Sequence, residues 1–175
     1  MIIRPEQTCD IAAITEVTIA AFQTLEISNN TEQFIIQALR QANALTLSLV
    51  ADIDRQVVGH IAFSPVTISD GSPQWYGLGP VSVVPEYQNQ GIGTALIQEG
   101  LSLLKTSGAQ GCVLVGYPAY YQRFWFRNSP TLIYGGIPPE FFLALAFDRP
   151  IPQGNVTFHP GFSATSDAAI ADTLF

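Results

Sequence analysis

The chain has 175 residues, 47% of them apolar, enough for one domain with a substantial core. Seven Lys and Arg against fourteen Asp and Glu leave a net charge of −7, which excludes the basic, aromatic-interleaved surface that RNA or DNA requires. No apolar run reaches membrane-spanning length and MIIRPEQTCD lacks a basic-then-apolar signal pattern, so a soluble cytoplasmic protein is expected.

In chain order, MIIRP begins a short strand, and Asp10 is placed to cap a helix over IAAITEVTIAAF with Ile11, Ile14, Val17 and Ala21 on one face. Asn30 and Gln33 in NTEQ give a capping-box pattern that opens a second helix, ending near Gln41. LTLSLVADI reads as a strand, Asp54-Arg55 as its turn and QVVGHIAFSPV as the returning partner. The turn-rich SDGSPQ, with Asp70-Gly71, leads into another strand, YGLGPVSVVP. A helix then starts after two glycines and runs to about Lys105, with Ile92, Leu96, Ile97, Leu101, Leu103 and Leu104 at helical spacing. GCVLVG is a short continuous apolar run suited to a strand buried on both faces. GYPAYYQRFWF starts a helix with Pro118 in its first turn. EFFLALAFD and NVTFHPGF read as two more strands around the loop RPIPQG, and SATSDAAIADTLF as a loose tail. The expected division is residues 1–162 as the domain and 163–175 as the tail.

Cys9 and Cys112 are too few for a disulfide framework and form no C-x-x-C pair; Cys112 in GCVLVG reads as a small buried hydrophobe. His60 and His159 have no ligand-spaced companions, so no metal site is expected, and His60 inside an apolar strand reads as structural. The acidic field favours cationic partners. An anionic ligand therefore needs a local device such as a helix N-terminus.

That device is VVPEYQNQGIGTALIQEGL, residues 83–101. A strand stops at Pro85, polar residues follow, and Gly91 and Gly93 open a helix whose free N–H groups favour phosphate oxygens. Without Cβ atoms the glycines let a pyrophosphate approach the main chain, while Thr94 offers a hydroxyl and Gln88 and Asn89 offer amides. There is no lysine for a G-x-x-x-x-G-K-[ST] loop, and Leu96 replaces the third glycine of G-x-G-x-x-G. A dinucleotide site would also need an acid about twenty residues on, where Gln110 and Gly111 stand.

From Val81 to Leu96 the stretch V-x-V-x-P-x-x-Q-x-x-G-I-G-x-x-L resembles the acyl-CoA motif of the GNAT N-acetyltransferase superfamily. IIRP with its following helix resembles the family's start, and VVGHIAFSPV its third strand. PAYYQRFWF resembles its second signature, a Tyr-x-(Lys/Arg)-x-Gly-Phe helix end. The resemblance covers about residues 1 to 147 and is strongest between Leu78 and Phe126.

The resemblance implies a mixed α/β fold, a mostly antiparallel sheet with splayed central strands and helices on both faces. It implies acetyl-CoA as co-substrate and acetyl transfer to a primary amine by direct attack in a ternary complex. Main-chain groups near Val81, Ser82 and Val83 would bond the pantetheine arm, and Gln88, Asn89, Gln90, Gly91, Ile92, Gly93 and Thr94 would hold the pyrophosphate. Tyr121 falls on the general-acid position, with Tyr120 as competitor, and Arg123 on a basic position near coenzyme phosphates. Trp125 departs from the family's glycine and is expected in an aromatic core cluster. Glu26 lies on the acceptor side, Glu32 reads as a first-turn carboxylate, and no single catalytic base is assigned. The alternative is a non-catalytic acyl-CoA-binding sensor; a homodimer is compatible with either.

Overall fold

A strand whose side chains alternate between two faces needs a cover on both when both faces are apolar. Leu49 and Ala51 on one face, and Val50 between them on the other, are all fully buried. Leu49 and Ala51 join the cluster under Leu96, Ile97 and Leu104, while Val50 joins Ile14 and Ile36. The structure, a computed structural model that describes residues 1–26 and 28–166, thus has helices on both sides of a sheet.

The order is β1 (Ile2–Pro5), α1 (Ile11–Phe22), α2 (Glu32–Gln41), β2 (Leu47–Ile53), β3 (Gln56–Ile68) and β4 (Trp75–Val83). It continues with α3 (Ile92–Thr106), β5 (Gly111–Val115), α4 (Pro118–Tyr121), β6 (Leu132–Ile133), β7 (Phe142–Ala146) and β8 (Gly154–Phe158). The strands lie β1-β2-β3-β4-β5-β7, with β8 on the end of β3 and β6 on β8. Only β4–β5 and β6–β8 run parallel among the described pairs. The expected mixed, mostly antiparallel fold is present.

Local expectations failed at the two caps. Asp10 makes no side-chain cap to α1; it accepts from the Gln7 N–H at 2.7 Å and pairs with Arg4 at 2.7 Å. The arginine's charge outweighs burial as a draw on this carboxylate, so Asp10 serves the start of the chain and holds its pKa low. The second helix begins after Thr31, and the Gln33 amide donates to the Asn30 carbonyl rather than closing a capping box. In α3 the buried stripe is Ile92, Leu96, Ile97, Gly100 and Leu104, while Leu103 turns outward. β6 has two residues, too few for any periodicity, and was not foreseen. Toward the C-terminus Ala164 is buried against Ala38. Residues 167–175, most of the expected tail, lie outside the described residues.

A polar knot ties α2 to the sheet. Arg40 donates twice to Glu6 at 2.9 Å, Ser48 donates to the same carboxylate, and Ser48 lies 2.8 Å from His60 Nε2. Because the Ser48 proton is committed to Glu6, Nε2 must carry a proton and donate to Ser48. His60 is fully buried and its Nδ1 has no partner, so a second proton has nowhere to bond. Burial pushes the His60 pKa down despite the nearby Glu6. Burial opposes ionisation of Glu6 as well, but His60, Arg40 and Ser48 outweigh it and hold that carboxyl well below its usual range.

Candidate active site

β4 and β5 separate in the middle of the sheet. They pair only from Trp75 to Gly77 against Gly111 to Val113. Beyond that, β4 remains paired to β3 through a register shift between Ile61 and Phe63, and its other edge opens. In an antiparallel ladder, main-chain groups point alternately to one neighbour and away from it. The Val84 N–H donates to the Val58 carbonyl, and Ser82 is aligned with His60 two residues before. The same alternation turns the N–H and C=O groups of Val81 and Val83 into the gap. Ser82 does not share this orientation. Its main chain is committed to β3, and its hydroxyl lies 3.4 Å from that of Thr18 on α1.

The next segment is the one expected to hold an anion. Gly91 precedes α3 with φ of 84°, a left-handed conformation that favours glycine, and no side chain caps the helix. The Ala95 N–H closes the first turn onto the Gly91 carbonyl at 2.9 Å. The N–H groups ahead of it therefore have no helical acceptor. A cleft of about 480 Å³ lies here, lined by Val81, Ser82, Val83, Gln88, Asn89, Gly91, Ile92, Gly93, Thr94 and Arg123, with Tyr87 and Tyr120. Of the expected cofactor residues, Gln90 is not on this surface; its amide donates to the Glu86 carbonyl. Gln88 spends its amide on the Val83 carbonyl at 2.9 Å, which braces the loop against the strand. Arg123 is the one charged side chain among the described residues of the lining. Its Nε donates to the Tyr120 carbonyl at 2.9 Å and its guanidinium lies over the Tyr120 ring, 4.6 Å from the centroid.

The tyrosine pair divides the space. Tyr120 lines the cleft, and its hydroxyl lies 3.3 Å from where a Cβ on Gly93 would sit. Tyr121 lies outside that cleft and lines an adjoining cavity of about 740 Å³. Its ring packs where Gly116 has no side chain; a Cβ there would meet it at 2.4 Å. Burial, then the neighbouring Tyr120 and Cys112, push the Tyr121 phenol up from its ordinary value, so it stays protonated across the physiological range. The two cavities meet at Val81, Gln88 and Tyr120.

Trp125 is not in the aromatic core. It adopts φ of 71°, a left-handed conformation that favours glycine, and its side chain is 74% exposed. The indole stands outside the protein beside Arg127, and its neighbours Phe124 and Phe126 fill the core instead. The tyrosine helix is therefore undisturbed by the bulky residue.

The second cavity was largely invisible in the sequence. Its walls come from α1 and α2, the middle of β4, the segment from Val115 to Tyr121, Tyr134 and the chain's last described turn. Glu32 lines it, so the first-turn carboxylate of α2 has a second exposure that helical position alone did not signal. Glu26 is exposed and lines neither cavity. Cys112 is fully buried, and burial pushes its thiol pKa up.

Comparison with known proteins follows the same outline. Residues 12–125 match the Acetyltransferase (GNAT) family. The N-acetyltransferase YhbS of Escherichia coli strain K12, itself uncharacterised, is 37% identical over 128 residues, 73% of this chain and 74% of that protein. Its crystal structure in complex with CoA superposes with a TM-score of 0.86 at 31% identity, over 94% of this chain and 93% of the other. A GNAT family acetyltransferase from Brucella melitensis, in complex with acetyl-CoA, is 50% identical with a TM-score of 0.83, over 93% and 97% of the two chains. The family model spans more than half of the chain and these relatives match it over most of its length, so the chain belongs to the GNAT family of acetyltransferases.

Proposed function

We propose that the protein transfers an acetyl group from acetyl-CoA to a primary amine. The observation that carries this reading is the continuity of three features: outward main-chain groups at Val81 and Val83, the uncapped start of α3, and an adjoining aromatic cavity. The first suits a pantetheine arm lying along β4 as an added strand, and the second suits a pyrophosphate. The solved relatives with acetyl-CoA or CoA support the same cofactor.

The reaction balances without a covalent enzyme intermediate. The ammonium releases a proton to water, and the nitrogen lone pair attacks the thioester carbonyl carbon. The C–N bond forms, the C–S bond breaks with its electron pair on sulfur, and the nitrogen gives up a further proton as the thiolate takes one. Amide and CoA thiol result, with one net proton released. Direct attack fits the cysteines: Cys112 is buried and protonated, and Cys9 lines neither cavity.

Tyr121 is the proposed hydrogen-bond donor to the departing sulfur. An ordinary thiol titrates near about 8.5, and the phenol lies above its own ordinary value of about 10, so full proton transfer from Tyr121 is uphill. Its contribution is stabilisation of charge developing on sulfur, followed by exchange with water. Tyr120, over the cleft beside Gly93, is assigned to shaping the cofactor channel.

The test is turnover of acetyl-CoA with a panel of amines, reading thiol release together with the acetylated product's mass. Tyr121→Phe should lower kcat by about 10²–10⁴-fold with little change in the KM for acetyl-CoA. Tyr120→Phe should mainly raise that KM. A larger kcat loss from Tyr120→Phe would move the donor by one residue. CoA binding with no amine ever acetylated would establish an acyl-CoA sensor in place of an enzyme.

A further inference from the structure

The two joined cavities differ in kind. The first is lined by amide, hydroxyl and guanidinium groups around a helix start, a site for anionic oxygen. The second is walled by Tyr117, Tyr120, Tyr121, Tyr134, Phe158 and Phe162, with aliphatic side chains between them. Glu32 is its one charged side chain among the described residues. We infer that this cavity takes a monocationic amine carried on an aromatic or other apolar body, such as an arylalkylamine; as an acceptor, this class rests on the acetyl-transfer reading above.

Three observations converge on that class. The volume, about 740 Å³, is well beyond what an acetyl group needs and is in the range that holds a ring with its linker. A polyamine or an aminoglycoside would bring several charges or many hydroxyls against walls that offer them few partners, and each unpaired polar group is costly to desolvate. A body with one charge needs one carboxylate, and π faces attract the same cation. Glu32 is held for this: Ser28 Oγ lies 2.7 and 2.9 Å from its two oxygens, which fixes the carboxylate while using one donor. Last, the cavity mouth is apolar as well. Leu25, Val115 and Tyr117, each about half exposed, are among the protein's most exposed large hydrophobic side chains, and all three line this cavity. A cluster of that kind marks a surface that a ligand covers.

The experiment uses the full chain saturated with CoA and three probes: phenethylamine, its neutral analogue phenethyl alcohol, and spermidine. Calorimetry reads binding and a parallel acetyl-CoA assay reads transfer. Phenethylamine should bind about ten-fold or more tightly than either other probe: the alcohol lacks the charge-assisted bond and cation–π contact, and spermidine brings further charges that the walls leave unpaired. Glu32→Gln should weaken phenethylamine by about ten-fold and leave the alcohol unchanged. Tighter spermidine, equal amine and alcohol affinities, or a folded Glu32→Gln chain that binds phenethylamine as before, would each overturn the inference. The probe comparison needs no variant and decides the matter even if Glu32→Gln does not fold. If phenethylamine binds as expected and no amine is acetylated, the cavity assignment stands and acetyl transfer fails. If spermidine is acetylated in preference, transfer stands and the cavity assignment fails.

Discussion

Trp125 shows how a residue can break a pattern without disturbing what the pattern builds. Left-handed backbone costs a residue with a Cβ about 1–2 kcal/mol, which glycine avoids. Trp125 bears that cost with an indole that is 74% exposed and has the Arg127 guanidinium 6.0 Å from its ring centroid. Trp125→Gly relieves the strain but gives up the stacking, about 0.5 kcal/mol at an exposed site, and adds unfolded-state freedom worth about 0.5–1 kcal/mol. The expected net change in unfolding free energy is under about 1 kcal/mol, measured by urea titration, with CoA affinity intact. A ten-fold loss of CoA affinity would show instead that the indole reaches the cofactor. Nothing in F-W-F announced this outcome. Two flanking phenylalanines and an indole read as one core cluster, and only the helix end's handedness separates the outward residue from the inward pair.

At the scale of elements, the stretch from β4 through α3 was legible because its signals are local. A proline-ended strand, a polar turn and two glycines specify their geometry within a dozen residues. The two glycines nevertheless have different jobs. Gly91 is required by its φ of 84°, and the space around its absent Cβ is empty, so Gly91→Ala should cost about 1–2 kcal/mol of stability through strain. Gly93 is in ordinary helical backbone beside the Tyr120 hydroxyl, inside the cleft. Gly93→Val should therefore leave the melting temperature nearly unchanged while lowering CoA affinity by about ten-fold or more, since a branched side chain occupies the approach to the helix start. Equal CoA affinity in a folded Gly93→Val chain, by calorimetry, would remove this loop from the cofactor site. The second cavity was illegible for the opposite reason. Its walls come from segments far apart in the chain, β6 is two residues long, and Phe158 and Phe162 read from sequence as nothing more than the aromatics of one strand, NVTFHPGF.

For the whole molecule, the knot of Glu6, Arg40, Ser48 and His60 sets a dependence on acid. His60 has a folded pKa below its ordinary value of about 6.5, so as pH falls past that value the unfolded chain takes up a proton that the folded one refuses. Glu6 has the same sign, and its effect begins below the ordinary carboxyl value of about 4.3. Stability should thus be full at pH 7, decline from about pH 6.5 at up to about 1.4 kcal/mol per pH unit, and steepen below about pH 4.3. Urea unfolding at pH 7, 6 and 5 checks this, and His60→Gln should flatten that interval. A slope unchanged by His60→Gln would place the acid sensitivity elsewhere. The split between the two cavities reaches further than either alone. The first cleft draws most of its lining from one continuous run, Val81 to Thr94, whereas the second is assembled from at least five distant segments, ending with Phe162. On the proposed reading, substitutions scattered along the chain can retune which molecule is accepted while the donor side stays untouched, so divergence in the acceptor need not pass through an inactive ancestor.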